Sequence, residues 1–311
     1  MESQFFKGDE VTEIRQEVEE YILQLGFSRG LDDNLVKRWR IGYRYRSDEF
    51  SPGDELPPPD PFPWDREMSF PFVSFDVLQD NYTTAFNLDQ IHRTEDLHLG
   101  YRFYNLLGYA ATGFGSDSDR VVIEGLFSDT LIYNGNELWR HRLEWQGILN
   151  LDTDRSEDVT VAWETRYFRR QTSHRSFFAS LQAVWSHNLN THQQIVLGGL
   201  TGARGFENRF QAGDRRWSVT LEERMYTDVH LWNLLRLGWA LFIDAGRAWE
   251  PGVGDGLEDA TLINAGFGIR LASSKAEAGR IAHIDFAFPL SNKDDPQVDS
   301  YLIAVNIKNA F

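Results

Sequence analysis

His283 and Asp285 are the candidates for catalysis that the sequence offers. They lie two positions apart in a stretch of alternating polarity, so both side chains point to one face and could form an acid–base pair. No serine with a suitable oxyanion environment can be tied to them, and the 311 residues contain no cysteine nucleophile. A structural hydrogen bond on that face is the better interpretation, and we expect no enzyme activity.

Other chemistry-bearing patterns are missing from the sequence. The remaining histidines show no metal-ligand spacing, and no glycine cluster precedes a helix as it does in a phosphate-binding loop. We therefore expect no metal and no cofactor. The formal net charge of −16 also disfavours nucleic acid as a partner.

A second set of charged residues could hold a loop in place. Arg204 lies in the long polar connection 187–214, and Glu222 and Asp244 lie in two strand-like stretches that follow it. If the connection folds back over their face, Arg204 could form charge-assisted hydrogen bonds with Asp244 and with Glu222. The alternative is an arginine bonded to its neighbours in a solvated loop. The two carboxylates share a face because the alternate positions are apolar: Trp217, Val219, Leu221, Trp239, Leu241 and Ile243.

The elements that must position these residues are strands. Polarity alternates with a two-residue period in about twelve stretches, an even number, as in single-chain bacterial barrels. Long polar connections alternate with mostly shorter turns, and 80–95 is the exception, being long for a turn. The twelve stretches are 39–46, 69–78, 97–107, 120–133, 138–149, 158–168, 176–185, 216–226, 235–246, 262–272, 281–290 and 300–311.

The N-terminal segment 1–35 is predicted to be a separate acidic, amphipathic helix on the periplasmic side, preceding a barrel domain at 36–311. Apolar residues recur there at three- and four-residue spacing, among glutamates. We hypothesise that this helix lies at the periplasmic mouth and compensates luminal arginines, the alternative being a solvated helix. The apolar positions are Val11, Ile14, Val18, Tyr21, Ile22 and Leu25.

The composition favours a membrane β-barrel over a helical membrane protein. The mean hydropathy is −0.44, and no stretch approaches the roughly 18 to 20 apolar residues that a spanning helix needs. In a bilayer every backbone polar group needs an internal partner, so a chain of strands must close into a barrel. Aromatic residues make up 14% of the chain, which suits the girdles of such barrels, although a soluble β-sandwich with an aromatic core is the alternative.

The strand at the C-terminus alternates in polarity and ends on Phe311. This ending resembles the C-terminal signal by which bacterial outer-membrane barrels are recognised and closed. It makes a transmembrane antiparallel β-barrel of about twelve strands the predicted fold.

Two motifs resemble the outer membrane protein 85 superfamily. Arg204, Gly205 and Phe206 are similar to its Arg-Gly-aromatic loop, and 242–246 to its Phe-x-Asp-x-Gly strand element, with five strands between the loop and the chain end. The resemblance implies a loop folded into the lumen, where Phe242, Asp244, Gly246 and Glu222 surround Arg204. It also implies translocation or insertion of protein or lipid.

Two features depart from the superfamily pattern. Its barrels commonly have sixteen strands, and they usually follow periplasmic domains, for which 35 residues are too few. Two alternative functions therefore stay open. One is a passive pore that favours anions, and the other is a membrane anchor or dimerisation module for an upstream enzyme domain.

The pore alternative follows from the predicted lumen, which is basic in a chain that is acidic overall. Strand parity places five acidic residues inward: Glu144, Glu164, Glu222, Asp244 and Asp285. It places ten arginines inward: Arg38, Arg40, Arg44, Arg46, Arg102, Arg140, Arg142, Arg166, Arg224 and Arg270.

The predicted location is the bacterial outer membrane. The N-terminus lacks a basic segment followed by an apolar one, so we expect a mature or truncated chain without its signal peptide. The expected partners are outer-membrane lipids, the barrel-assembly machinery during biogenesis, and a protein or lipid client, with a homo-oligomer left open.

Overall fold

The computed structural model describes residues 2–86, 91, 94–251, 260–275 and 280–309, and this part of the chain is all-β. No helix among these residues is long and apolar enough to cross a membrane. The 3₁₀ turns are Thr112–Phe114 and Gly199–Thr201. The strands are β1 (Glu2–Phe6), β2 (Asp9–Asp32), β3 (Leu35–Pro52), β4 (Arg66–Gln79), β5 (Asn81–Phe86), β6 (Thr94–Ala110), β7 (Arg120–Tyr133), β8 (Glu137–Asn150), β9 (Arg155–Arg170), β10 (Arg175–His187), β11 (Ile195–Leu197), β12 (Gln211–Gly213), β13 (Arg215–Leu231), β14 (Leu235–Trp249), β15 (Leu262–Ser273), β16 (Arg280–Pro289) and β17 (Leu302–Asn309).

One antiparallel sheet contains nearly all of these strands. Neighbours along the chain are neighbours in the sheet, which runs β1-β2-β3-β4-β6-β7-β8-β9-β10-β13-β14-β15-β16-β17. Strand β5 pairs with the start of β6, and β11 pairs with β12 in a small hairpin inside the connection 188–214. Such a meander satisfies backbone groups locally, strand by strand.

The predicted N-terminal helix is wrong, and β2 stands in its place. The apolar positions fit a helical spacing up to Leu25, but from Tyr21 to Phe27 they fit a strand equally well. Pairing with β3 decides between the two, because Tyr21 lies opposite Tyr45 and Phe27 opposite Trp39 on one face. Residues 2–35 thus belong to the main sheet and its turns and do not form a separate helix.

Each of the twelve predicted stretches overlaps one strand, but the strand count is higher than predicted. The additional members of the sheet are β1, β2 and β5, and β5 accounts for the long connection 80–95. The sheet is open in the described residues: its path ends at β17 on one side and at β1 and β2 on the other. The antiparallel all-β prediction is confirmed, whereas hydrogen-bonded closure of the barrel is not.

The two ends of the strands carry different connections. The turns after β2, β7, β9 and β13 are short, and we call this the short-turn end. The connections after β3, β6, β10, β14 and β16 are longer and lie at the opposite, long-loop end. Exposed apolar side chains cover the middle of the outer face, for example Leu23, Ile41, Val73 and Leu241, whereas charged and polar side chains are frequent on the inner face.

Contacts at the long-loop end bring the two edges of the sheet together. Lys7, in the β1–β2 turn, forms a 2.9 Å salt bridge with Asp295, in the connection between β16 and β17. Gln4 donates a hydrogen bond to the carbonyl of Thr191, and Arg209 lies over the Phe5 ring at 4.0 Å. The sheet therefore curls until its first hairpin contacts both the connection before its last strand and the connection 188–214.

Candidate functional site

The connection 188–214 folds over the inner face of the sheet at the long-loop end. Phe206 is 2% exposed and packs with Phe210, also from the connection, against Ala248 of β14 and Leu262 of β15. Leu197 of β11 belongs to the same buried cluster. Burying these side chains fixes the loop against β14 and β15.

Two glycines allow this close approach. A Cβ atom on Gly205 would lie 2.6 Å from the Cβ of Asn264, so only glycine lets the loop backbone rest against β15. A Cβ atom on Gly246 would lie 2.8 Å from the carbonyl oxygen of Trp217 and 3.0 Å from Leu197. At both motif glycines, therefore, the backbone touches a neighbouring element and leaves no room for a side chain.

Arg204 points from the loop into the inner face and contacts three carboxylates. Its Nε and Nη2 atoms donate to the two oxygens of Asp244 at 2.9 and 3.0 Å, a bidentate pair. Its Nη1 donates to Glu222 at 3.0 Å and to Asp285 at 3.1 Å. The guanidinium carbon lies 3.5 Å from the centroid of the Phe242 ring, within the range of a cation–π interaction.

The cluster balances its charges. Arg224 donates to Glu222 at 2.9 Å, and Arg270 donates to both Glu222 and Asp285. Three guanidinium groups therefore face three carboxylates. Burial opposes the charge of Arg204, but the nearby carboxylates outweigh it, chiefly Asp244, and raise the pKa of Arg204 above its usual value. The loop is held by a compensated, buried ion network.

Asp244 is the most completely enclosed of the three carboxylates, with 1% of its side chain exposed. Besides Arg204, it accepts hydrogen bonds from Thr220 and from Asn264, both at 2.9 Å. The backbone N–H of Arg204 also donates to it at 3.3 Å. Both oxygens of Asp244 thus accept at least two hydrogen bonds, which compensates the burial of the carboxylate.

Sequence reasoning grouped the loop with two of its three carboxylates. It paired Asp285 with His283 instead, but in the structure Asp285 accepts hydrogen bonds from Arg204 and Arg270. The signal for Asp285 was present, since strand parity already placed it inward. The sequence does not show how far the loop reaches along β16, and that reach is what brings Arg204 to Asp285.

The predicted luminal arginines fall into two groups. Arg224 and Arg270 belong to the cluster at the loop, and the other eight lie on the inner face of β3 to β9. Arg40 and Arg102 lie near Asp76, Arg44 donates to Glu124, and Arg140 lies opposite Arg166 in the β8–β9 register. Arg142 and Arg166 pair with Glu144 and Glu164, respectively. Phe311, the predicted C-terminal signal, lies outside the described residues.

A cavity of about 670 Å³ lies beneath the loop. The turn Gly199–Thr201 and Arg204 line it on one side, and Asn306 of β17 lines it at the edge of the sheet. Ile91, which follows β5, packs against Tyr226 and Ile281 and lines its floor. Within the described part of the chain, no group of three or more histidine or acidic side chains could hold a metal ion.

The loop, its strand partners and the meander agree with a family match. The family model described as the Omp85 superfamily domain matches residues 116–309. The chain belongs to the Omp85 superfamily. The match includes the whole loop and the carboxylates around Arg204. No curated protein sequence matches the chain.

Solved structures of CdiB and BamA are similar to the chain at 10–12% sequence identity. CdiB from Escherichia coli has a TM-score of 0.50 at 12% identity, covering 94% of this chain and 53% of its own length. CdiB from Acinetobacter baumannii has a TM-score of 0.46 at 11% identity, covering 94% and 58%. BamA from Haemophilus ducreyi lacking POTRA domains 1–3 has a TM-score of 0.43 at 10% identity, covering 95% and 71%. The chain thus spans little more than half the length of either CdiB.

Proposed function

We propose that this chain is a bacterial outer-membrane barrel that translocates or inserts a protein or lipid client, with transport rather than catalysis as its activity. Superfamily membership supports both the outer-membrane location and the broad class of function. In this proposal the short-turn end faces the periplasm and the long-loop end faces the exterior. The expected partners are surrounding lipids, the assembly machinery that inserts the barrel, and the client.

One observation carries the proposal: an ion-paired loop crosses the inner face beside β17, an edge strand of the sheet in the described residues. The turn Gly199–Thr201 lines the same cavity as Ala304 and Asn306 of β17. Strand β17 pairs with β16 on one side, and the described part of the sheet ends at β17. A loop held beside an edge with unused backbone donors and acceptors is suited to controlling what joins that edge.

Conductance in planar bilayers tests the role of the loop. We expect small, irregular openings from the native chain, and more of them from Arg204→Ala, because the substitution removes the cation that holds the loop. Arg209→Ala is the matched control, since Arg209 lies in the same loop outside the ion network. Identical traces from native and Arg204→Ala protein would contradict a gating loop.

A passive pore is the second candidate, and the arginines on the inner face of β3 to β9 favour it. A steady, anion-selective current that does not depend on Arg204 would support this alternative. Photo-cross-linking in cells separates the two. A cross-linker at Gln24, on the edge strand β2, should capture a client, whereas one at Leu241, on the outer face of β14, should not. Equal capture at both positions would contradict translocation at the edge.

A further inference from the structure

Three arginines surround one buried carboxylate on the inner face, far along the sheet from the loop. Arg102 donates to Asp76 from Nε at 3.1 Å and from Nη2 at 3.4 Å. Arg38 and Arg40 lie 3.6 and 3.8 Å from the same carboxylate. We call Arg38, Arg40 and Arg102 the arginine triad. Asp76 is 1% exposed, whereas the three arginine side chains are 28–44% exposed and retain surface toward the interior.

The charges of this group do not balance. Among the residues that the structure describes, three guanidinium groups face one carboxylate, which leaves an excess of two positive charges. Arg44, farther along the same strand β3, has acidic partners of its own: it donates to Glu124 at 2.6 Å and lies 3.8 Å from Glu20. Like charges held together on a low-dielectric wall favour binding of an anion. The loop cluster differs, because its three cations are matched by three carboxylates.

We propose that the arginine triad binds a phosphoryl group. Near neutral pH a free phosphate or phosphate monoester carries between one and two negative charges and a phosphodiester carries one, so either offsets the excess wholly or in part. Its oxygens accept the parallel N–H donors of guanidinium groups, and arginine is suited to this geometry. Asp76 acts as the positioning residue: it orients the guanidinium groups from below and leaves their other donors facing the interior.

The position of the triad fits a lipid headgroup as the carrier of the phosphoryl group. Trp39 and Phe75, whose rings are 4.2 Å apart, lie on the outer face beside the triad strands, as aromatic residues do at a membrane interface. On the edge strand β2, the residues in register with Arg40 and Arg38 are Gly26 and Ser28. Glycine has no side chain and serine a short one, so β2, an edge strand in the described part of the sheet, leaves the triad accessible from its side. Free phosphate from the aqueous interior is the other source of the same chemistry.

Binding to the detergent-solubilised full chain tests the site. Inorganic phosphate would be titrated and followed by ³¹P NMR line broadening, and phosphatidylglycerol would be followed by native mass spectrometry. We expect Arg102→Gln to weaken binding about tenfold or more, because it removes a charge-assisted hydrogen bond. Arg38→Gln is the second variant, and a thermal melt of each protein establishes that it is folded. These measurements do not depend on transport, so their failure would leave the proposed function untouched.

Arg142→Gln is the matched control, because Arg142 lies on the same wall outside the triad and pairs with Glu144. We expect this control to bind like the native chain. Loss in the triad variants with phosphatidylglycerol alone would identify a lipid headgroup site, and loss with phosphate alone would identify a site for free oxyanions. The proposal is overturned if neither probe binds, if the control loses binding equally, or if a phosphorus-free glycolipid binds as well as phosphatidylglycerol.

Discussion

Arg204 and Asp244 form a bidentate ion pair across 40 residues of sequence, with donor–acceptor distances of 2.9 and 3.0 Å. One partner is in a loop, and the other is on the inner face of β14. The remaining donor groups of the arginine reach Glu222 and Asp285, so a single side chain connects the loop to β13, β14 and β16.

Replacing Arg204 with alanine should destabilise the protein strongly. The substitution leaves Asp244 buried and without its ion-pair partner, and breaking a buried pair in this way costs about 3–5 kcal/mol. The free energy of unfolding can be measured in urea, with the protein in lipid vesicles. Limited proteolysis should also cut the connection 188–214 faster.

Two substitutions define the controls for that measurement. Arg209→Ala removes an exposed arginine of the same loop and its contact with Phe5, so we expect a loss of at most about 1 kcal/mol. Arg204→Lys keeps the charge but cannot form the bidentate geometry, so its stability should lie between those of the native chain and Arg204→Ala. If all three variants unfold alike, the ion network does not hold the loop.

Gly205→Ala should displace the loop without changing any charge. Its new methyl group would lie 2.6 Å from the Cβ of Asn264, and we expect a loss of about 1–3 kcal/mol from this overpacking. Gly113→Ala is the matched control, because nothing lies within 4 Å of its added methyl group. A change within about 0.5 kcal/mol is expected there. Equal thermal melting of the two variants would show that the loop does not rest on β15.

The edges of the sheet should exchange backbone hydrogens faster than its middle. Strand β17 has one neighbour in the described sheet, and most of β2 pairs with β3 alone, whereas β14 has a neighbour on both sides. Unpaired edge amides open to solvent more readily. Hydrogen–deuterium exchange followed by mass spectrometry should therefore rank β17 and β2 above β14. Slow exchange throughout β17 and β2 would indicate that these edges pair in the membrane.

The contact between the first hairpin and the β16–β17 connection should weaken in acid. The side-chain hydrogen bond from Lys7 and the backbone N–H of Gln297 lower the pKa of Asp295. A lowered pKa contributes stability above the unfolded value of about 3.9, and that stability is lost as the pH falls through the folded value. Hydrogen exchange of β1, corrected for the intrinsic rate at each pH, should rise in that range. Lys7→Gln should show a smaller change with pH, and an unchanged pH response in this variant would contradict the mechanism.

The sequence was most informative where a strand alternates between apolar and polar residues. All twelve stretches with this pattern overlap strands, because one face must remain apolar and the other polar whatever the neighbours are. It was least informative in residues 9–32, where the apolar residues fit both the period of a helix and the period of a strand. Their strand conformation follows from hydrogen bonds to β3, which are distant contacts that no local pattern records.

The site divides in the same way. The motif residues and strand parity grouped Arg204 with Asp244 and Glu222, because parity fixes which face a side chain occupies. Parity does not fix which residues on that face meet. Asp285 and Arg270 join the network through the register of β15 and β16 and through the depth of the loop.

By itself, the sequence determined that this chain forms antiparallel strands with one apolar face, and it identified the loop and the strand element that carry the superfamily motifs. Those properties reside in residue types at short, regular spacing. Only the tertiary structure decided the conformation of residues 2–35, the edges of the described sheet, the three-carboxylate environment of Arg204 and the arginine triad around Asp76. Each of these depends on which strands lie side by side and in what register, and pairings of that kind are set by the free energy of the whole sheet.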